Sequence, residues 1–243
     1  MKIKNKAYIA GIYEHPVRRA GELSTAQLHA DVALGALEDA GLTLDDVDAY
    51  FCGADAPGLG GLTMAEYLGL RNLKYMDTTE TGGSSYLLHV RHAAQAIAAG
   101  YCQVALITMA DRPLANKQGT ALSGVDRSSM PDLPFAAGVP GMPVYGYAMV
   151  ARRHMHEFGT TPAQLAWVKV AASHHAQYNP HALRQEVVTV EDVLQSPMVA
   201  DPLHRLDCCV MTDGGGAIVV VSPEVAAGLK QPKVKIIGTG EAT

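Results

Sequence analysis

The sequence lacks any run of Lys or Arg longer than a pair such as Arg152-Arg153, and its 24 acidic residues outnumber its 19 Lys and Arg. A formal net charge of −5 without a basic patch offers no electrostatic footprint for nucleic acid or an anionic lipid surface. The longest apolar runs, such as Val104 to Ile107 and Ala217 to Val221, are far below the roughly 20 residues that span a bilayer. We therefore expect neither a nucleic-acid nor a membrane partner.

Cysteine is also scarce, and none of the four cysteines forms a CxxC pair. Cys52, Cys102, Cys208 and Cys209 are predicted to be small hydrophobic residues of a reducing compartment, with no disulfide and no metal site. The basic N-terminal segment, Met1 to Lys6, is followed by a strand-like segment and not by the apolar core of a signal peptide. The expected location is the cytoplasm.

Strand-like and helix-like segments alternate through the first part of the chain. Ser24 and Gly41 supply the start and the stop of one helix, and Thr63 is predicted to cap a second, short one. Between Gly82 and Gly100 the residues are apolar almost all round, which predicts a helix inside the protein. The predicted strands are Ala7 to Tyr13, Val47 to Cys52, Lys74 to Thr78 and Tyr101 to Thr108. This alternation predicts an α/β fold with parallel strands.

The alternation breaks at Ala110 to Tyr147, where frequent Pro and Gly predict a long ordered lid of the kind that usually touches ligand. Two helices are predicted next, Met149 to Phe158 and one opened by the capping sequence Thr161-Pro162-Ala163-Gln164. Sheet returns at Gly215 to Ser222, and a last strand is predicted at Val234 to Gly238. Because this strand echoes the first one, we expect the chain to stop as a second, similar unit begins.

Five segments carry a family resemblance: AAQAIAAG (Ala93 to Gly100), DAGLTLDDVDAYF (Asp39 to Phe51), ARRHMHEFGTT (Ala151 to Thr161), HHAQYNPHA (His174 to Ala182) and the run from Val190 to Ser222. With these segments the sequence resembles the thiolase superfamily, specifically the sterol carrier protein X-type thiolases and their lipid-transfer-protein relatives. The resemblance implies an α/β, thiolase-like fold of two similar halves, with a loop domain inserted into the first. It assigns residues 1–109 and 201–230 to the N-terminal half, 110–200 to the inserted loop domain and 231–243 to the start of the C-terminal half.

The resemblance also locates the reacting centre. In such enzymes a Cys at the N-terminus of the buried helix accepts an acyl group from a CoA thioester, because free amides and the helix dipole favour a thiolate there. Alignment on AAQAIAAG places that position at Gly83, so the nucleophile is absent. Ser84 and Ser85 are the nearest side chains, and each is open to two interpretations, a substitute nucleophile or a helix cap. The side-chain-free backbone of Gly82 and Gly83 would let a thioester oxygen approach the helix amides.

The remaining candidates each have a second, purely structural interpretation. Tyr145 and Tyr147 are a predicted general acid and substrate contact, or lid residues that pack against the body. Arg152 and Arg153 are candidates for CoA phosphates, or part of a solvated basic turn. His174 and His175 are candidates for a passing CoA phosphate or acyl chain, or exposed structural residues. His89 and His92 share a helix face, but no nearby carboxylate is predicted to join them, so no metal is expected.

The resemblance implies an enzyme, a thiolase-like acyltransferase or C–C lyase that makes or breaks a C–C bond next to a CoA thioester. A retro-aldol cleavage fits the missing Cys, because it needs an acid, a base and an oxyanion site but no covalent carrier. The CoA thioester is the substrate, and no tightly bound cofactor is expected. A homodimer or a hetero-oligomer is implied, and some relatives work with a small zinc-containing OB-fold protein. The alternative is a non-catalytic acyl-CoA-binding subunit, or a pseudoenzyme half that needs a partner chain.

Overall fold

A computed structural model describes residues 3–115 and 144–241. The chain divides into two compact units, one formed by Met1–Arg112 with Asp213–Thr243 and the other by Pro113–Thr212. Most of the predicted lid, residues 116–143, lies outside the described residues. No helix of the described ranges combines the length and the apolar character needed to cross a membrane.

The first unit is built on a six-stranded sheet, whose strands are β1 (Tyr8–Glu14), β2 (Ala49–Phe51), β3 (Tyr75–Asp77), β4 (Val104–Asp111), β7 (Gly214–Val221) and β8 (Val234–Lys235). Their order in the sheet is β3-β2-β4-β7-β1-β8. Its helices are α1 (Thr25–Ala40), α2 (Gly61–Leu68), α3 (Ser85–Ala98) and α7 (Pro223–Gly228). A short 3₁₀ turn, Leu44–Asp46, precedes β2.

The prediction of parallel strands is correct for β2 to β4 and wrong for the sheet as a whole. β2 pairs in parallel with both β3 and β4, whereas β7 pairs antiparallel with β4 and with β1, and β8 pairs antiparallel with β1. A helical crossover brings the chain back in the same direction, so each strand joined to the next by a helix stays parallel. β7 instead follows the second unit, and that long connection leaves its direction free.

Side chains alternate between the two faces of the sheet, and each face is covered by helix. On β4, Val104 and Leu106 pack in one core, and Ala105 and Ile107 pack in the other. The first core also holds α1 and α2 residues, and the second holds α3 residues. A strand covered on both faces reads as a continuous apolar run, which is why the sequence of β4 is nearly free of polar residues.

The helix α1 starts and stops as its sequence predicts. The Ser24 side chain accepts a hydrogen bond from the Gln27 amide, and Gly41 adopts the left-handed conformation with φ +70°. The predicted cap of α2 is wrong, because α2 begins at Gly61 and the Thr63 hydroxyl accepts from the Leu59 amide in the preceding turn.

The prediction that α3 lies inside the protein is also wrong for the described residues. Ala93, Ala94 and Ile97 are buried against the sheet, but Leu87 is 75% exposed. Small alanines make the sequence apolar all round, while the burial follows a single stripe of the helix.

The second unit contains three helices and a two-stranded antiparallel sheet among its described residues. Its elements are α4 (Val144–Phe158), α5 (Pro162–Ala176), α6 (Val190–Gln195), β5 (Met198–Ala200) and β6 (Leu203–His204). The Thr161 hydroxyl caps α5, Gln164 reaches back to the Thr161 amide, and Pro162 occupies the first turn, as predicted. The sequence predicts Tyr145 and Tyr147 on an irregular lid, and that placement is wrong because both lie on α4.

Candidate functional site

The candidate site lies at the edge of the sheet where β2, β3 and β4 end. Parallel strands bring their carboxyl ends to one edge, and ligands of open α/β sheets bind outside that edge. In this protein the edge carries the turn after β2, the segment between β3 and α3, and the end of β4. It therefore contains the Gly82-Gly83 segment that the family resemblance identifies.

The start of α3 has a backbone without side chains over two residues. Gly82 has φ +69°, a left-handed conformation that side-chain-bearing residues rarely adopt. A Cβ placed on Gly83 would meet no atom within 4 Å. Both glycines are exposed. The position that the family resemblance assigns to the nucleophile is thus an open, accessible piece of backbone.

Ser84 stands at the N-cap position of α3, but its hydroxyl caps nothing. It adopts a helical conformation and makes no side-chain cap bond; its Oγ donates to the Thr81 carbonyl at 3.0 Å instead. The Ser85 Oγ accepts from the Thr81 amide at 2.8 Å and lies 2.6 Å from the Gly82 carbonyl, and the residue is fully buried. The expectation of a serine cap is therefore wrong, and of the two hydroxyls only that of Ser84 is exposed.

Glu80 provides the connections that a local cap would otherwise make. Its Oε1 accepts from the Gly82 amide and its Oε2 accepts from the Ala54 amide, each at 2.6 Å. The Ser85 Oγ lies 3.2 Å from Oε1. One carboxylate thus ties the turn after β2 to the start of α3, and it occupies the Gly82 amide.

Asp55 makes the second link between the same two segments. Its Oδ1 accepts from the Tyr86 hydroxyl at 2.6 Å, and its Oδ2 accepts from the Ala110 amide at 2.8 Å. Burial alone raises the pKa of Asp55, but the contacts with His29, Tyr86 and the Ala110 amide outweigh it and hold the pKa below its ordinary value. The carboxyl group is therefore ionised at neutral pH.

Behind Asp55 a buried series of polar side chains lies between α1 and the sheet. His29 on α1 is fully buried; its Nε2 lies 3.3 Å from Asp55 Oδ2, without the alignment of a hydrogen bond. Its Nδ1 lies 2.9 Å from the Thr108 Oγ1, which lies 2.6 Å from the Tyr50 hydroxyl. Burial raises the pKa of Tyr50, so this hydroxyl keeps its proton. Thr108 has no exposed surface, so a substrate cannot reach this series of polar side chains.

An Asp–His pair joins the end of β3 to α3, where the sequence predicted none. Asp77 Oδ2 is 2.6 Å from His92 Nδ1. Burial raises the pKa of Asp77, but hydrogen bonds from Thr79 and His92 lower it by more. The pKa of Asp77 therefore lies below its ordinary value. His89 is fully buried, its Nε2 lies 2.9 Å from the Thr79 carbonyl, and burial lowers its pKa. The expectation that no carboxylate accompanies these histidines is wrong, yet no group of three metal-ligating side chains forms within the described ranges.

Cys52, Cys102 and Cys208 do not have the character of an activated nucleophile. Cys52 and Cys102 are buried, and burial raises the pKa of each thiol to about 12. Burial and the neighbouring Asp207 also raise the pKa of Cys208, while Cys209 is exposed in the second unit. Activated thiolates have lowered pKa values. None of the cysteines with a resolved shift meets that requirement.

The candidates of the second unit are surface residues. Tyr145 is 40% exposed and Tyr147 is 66% exposed. Arg152 forms an ion pair with Asp201 at 2.6 Å, and Arg153 with Glu157 at 2.5 Å. His174 and His175 lie exposed in the last turn of α5.

Sequence reasoning missed five side chains of the first unit: His29, Asp55, Asp77, Glu80 and Tyr86. A usable signal existed for three of them, because Asp55, Asp77 and Glu80 are acidic residues at or just beyond the ends of predicted strands. His29 gave no signal, since its periodicity on α1 is that of an ordinary core position.

No protein-family model matches the chain. A steroid side-chain-cleaving aldolase of Thermomonospora curvata is 34% identical over 246 residues, which is 98% of this chain and 62% of the relative. A 17-hydroxy-3-oxo-4-pregnene-20-carboxyl-CoA lyase of Mycobacterium tuberculosis is 34% identical over 256 residues, covering 96% of this chain and 62% of the relative. The solved Ltp2-ChsH2(DUF35) aldolase is 33% identical with a TM-score of 0.84, over 97% of this chain and 60% of that chain.

A mixed sheet with helices is the architecture that the solved thiolase-like structures share with the chain. These similarities support a place for the chain among the sterol carrier protein 2-like members of the thiolase superfamily. It spans 62% of the length of the two curated relatives.

Proposed function

We propose that the protein is an aldol lyase that breaks or makes a C–C bond next to a CoA thioester without an acyl-enzyme. The observation that carries this proposal is the open Gly83 at the exposed start of α3, where the family places its nucleophilic Cys. The raised pKa values of Cys52 and Cys102 support it, because neither thiol is a ready replacement. The names of the two curated relatives, an aldolase and a carboxyl-CoA lyase, support the same reaction class.

The proposed reaction is the retro-aldol cleavage of a β-hydroxyacyl-CoA. A base takes the hydroxyl proton, the hydroxyl carbon becomes a carbonyl, and the Cα–Cβ bond breaks. Its electron pair passes into the thioester as an enolate, and a proton then adds at Cα. Donors that stabilise the enolate oxygen contribute most where water is excluded.

For this reaction we propose that Gly83 gives the thioester access to the helix start and that the exposed Ser84 hydroxyl contacts it. Ser85 is buried, and we give it the role of holding the Gly82 carbonyl. Tyr145 and Tyr147 stay predictions for an acid or a substrate contact. Arg152, Arg153, His174 and His175 stay predictions for CoA, and both arginines would first have to exchange their carboxylate partners.

We further propose a hetero-oligomer with a DUF35-type partner, because the similar solved aldolase is an assembly of Ltp2 with ChsH2(DUF35). That such a partner has a zinc-containing OB fold stays a prediction from the family resemblance. A cytoplasmic location stays a prediction from the sequence. Co-expression with a DUF35 protein encoded nearby, followed by size-exclusion chromatography, tests the assembly. Separate elution of the two chains would contradict it.

The reaction is tested with the full-length protein and 17-hydroxy-3-oxo-4-pregnene-20-carboxyl-CoA, the compound named for the second relative. We expect a ketone and a shorter acyl-CoA as products. In parallel, acetoacetyl-CoA and free CoA should give no acetyl-CoA, and acetyl-CoA release at an enzymic rate would overturn the proposal. Binding of β-hydroxyacyl-CoA without turnover would instead support the non-catalytic subunit.

A further inference from the structure

Two carboxylates hold the turn after β2 against the start of α3, and they differ in what stands behind them. Glu80 is exposed, and its partners are the Ala54 and Gly82 amides and the Ser85 hydroxyl. The Asp55 side chain is only 11% exposed and is backed by the fully buried His29. A buried, ionised carboxylate with a fixed set of donors keeps one geometry, because each lost donor would leave an uncompensated charge.

The contacts of Asp55 leave its carboxylate little freedom. The Ala110 amide, near the end of β4, donates a hydrogen bond to Asp55 Oδ2. His29 Nε2 lies 3.3 Å from the same oxygen. His29 is itself fixed, since its Nδ1 lies 2.9 Å from the Thr108 Oγ1. Asp55 is thus anchored to the strand β4 and to the helix α1, which packs against the sheet.

The remaining oxygen of Asp55 points at α3. Tyr86, the second residue of α3, donates its hydroxyl proton to Oδ1 at 2.6 Å. Burial and the Asp55 charge raise the pKa of Tyr86, so its hydroxyl stays a donor across the physiological range. Tyr86 also stands edge-on to His89, with ring centroids 5.9 Å apart. These contacts set the direction in which the first turn leaves the sheet.

The space around this link is filled. A Cβ on Gly53 would lie 2.9 Å from Glu80 Oε2, 3.0 Å from Asp55 Oδ1 and 3.1 Å from the Tyr86 hydroxyl. Such distances are too short for an ordinary contact, so the turn and the helix start meet without slack.

We infer that Asp55 is a positioning residue: anchored by His29 and the Ala110 amide, it holds Tyr86 and thereby fixes the first turn of α3, which presents Gly83 and Ser84. Its bearing on catalysis rests on the proposed function. Asp55 does not touch the reacting atoms in this role, and its effect reaches them through Tyr86.

The test compares Asp55→Asn, Tyr86→Phe and the double variant in the full-length protein. Asp46→Asn is the matched control, because Asp46 accepts from the amide and the hydroxyl of Thr43 in an exposed turn remote in sequence from α3. The first readout is hydrogen exchange, without substrate, at the amides of Ser85, Leu87 and Leu88, which bond to the Gly82 and Ser84 carbonyls.

We expect each single variant to speed exchange at these three amides at least fivefold, with no further gain in the double variant. Asp46→Asn should leave the three amides unchanged. Exchange that stays at the wild-type rate in Tyr86→Phe and Asp55→Asn would overturn the inference. So would an increase spread evenly over β4 and α1, because that result means global destabilisation.

The second readout is kinetic. For β-hydroxyacyl-CoA cleavage we expect kcat to fall about tenfold in Asp55→Asn and in Tyr86→Phe, with KM within twofold of the wild type. A change in KM alone would contradict positioning of the reacting turn. If the wild-type protein cleaves no β-hydroxyacyl-CoA, the proposed function fails, while the exchange measurement still decides whether Asp55 fixes the helix start.

Discussion

The starts of α5 and α3 solve the same problem in opposite ways. At α5 the cap is local: the Thr161 hydroxyl and the Gln164 side chain satisfy each other's backbone amides, and Pro162 occupies the first turn. At α3 the residue in the N-cap position, Ser84, makes no cap bond. Glu80, from the segment that leads into α3, and Asp55, from the turn after β2, hold that start instead.

The difference shows that this protein lacks a side-chain N-cap bond at the start of α3, next to the candidate site. In a capping box, side chains of the N-cap residue and of the first turn bond to backbone amides of the helix start. At α3 the Glu80 carboxylate bonds to the Gly82 amide, while Gly82 and Gly83 are exposed and carry no side chain of their own. Departures from local rules are expected at functional sites, where the surrounding structure compensates for them.

Removal of the Asp55 carboxylate should cause the largest loss of stability among the substitutions at the start of α3. Asp55→Ala leaves the Tyr86 hydroxyl and the Ala110 amide without their acceptor in a largely buried place. We expect a loss of about 3 kcal/mol in the free energy of unfolding, measured by urea titration with far-UV circular dichroism. Asp46→Ala, which removes an exposed acceptor, should lose about 1 kcal/mol or less. Equal losses in the two variants would contradict the anchoring role of Asp55.

The same carboxylate gives a pH dependence of known sign. The pKa of Asp55 is lowered in the folded protein, so its charge stabilises the fold above the ordinary value of about 3.9 and this contribution is lost as the pH falls through the folded pKa. The stability difference between wild type and Asp55→Asn should therefore be constant from about pH 5 to 7 and shrink below about pH 4. Urea midpoints measured across this range check it. A difference that persists unchanged down to about pH 2 would show that the charge is irrelevant.

Gly53 tests how tightly the turn and the helix start are fitted. Gly53→Ala places a methyl group 2.9 Å from Glu80 Oε2, 3.0 Å from Asp55 Oδ1 and 3.1 Å from the Tyr86 hydroxyl, so three hydrogen-bonded oxygens have to shift together. We expect a loss of about 1–2 kcal/mol, the usual cost of overpacking. Gly83→Ala is the matched control and should stay within about 0.5 kcal/mol, since its methyl group meets nothing within 4 Å. Thermal unfolding of both variants decides the point, and equal losses would refute the tight fit at Gly53.

These residues also show what the sequence can and cannot predict. The cap and stop positions Ser24, Gly41 and Thr161 are predictable because a cap and its helix are neighbours in the chain. The shared direction of β2, β3 and β4 follows from helical crossovers, whereas β7 returns after an entire second unit and its direction is set by tertiary packing.

The Asp55 network is out of reach for the same reason. Its hydrogen-bond partners Tyr86 and Ala110 lie 31 and 55 residues away along the chain. No local pattern marks such a pairing. The sequence around Ser84 predicts a helix cap because a serine stands at the start of a predicted helix. Absence of the nucleophile at Gly83 is visible only through the family resemblance, which supplies the alignment that spacing alone does not.

The smallest expected effect separates the two helix starts directly. Thr161→Ala removes the hydroxyl that accepts from the Gln164 amide but keeps the bond from the Thr161 amide to the Gln164 side chain, and we expect a loss of about 1 kcal/mol. Ser84→Ala removes an exposed hydroxyl that donates to the Thr81 carbonyl and lies 3.2 Å from the Thr81 hydroxyl, so the loss should be below about 0.5 kcal/mol. Both values come from urea unfolding of the single variants. A cap-sized loss in Ser84→Ala would mean that α3 is started locally after all, and the role of Asp55 and Glu80 would then shrink to packing of the turn after β2.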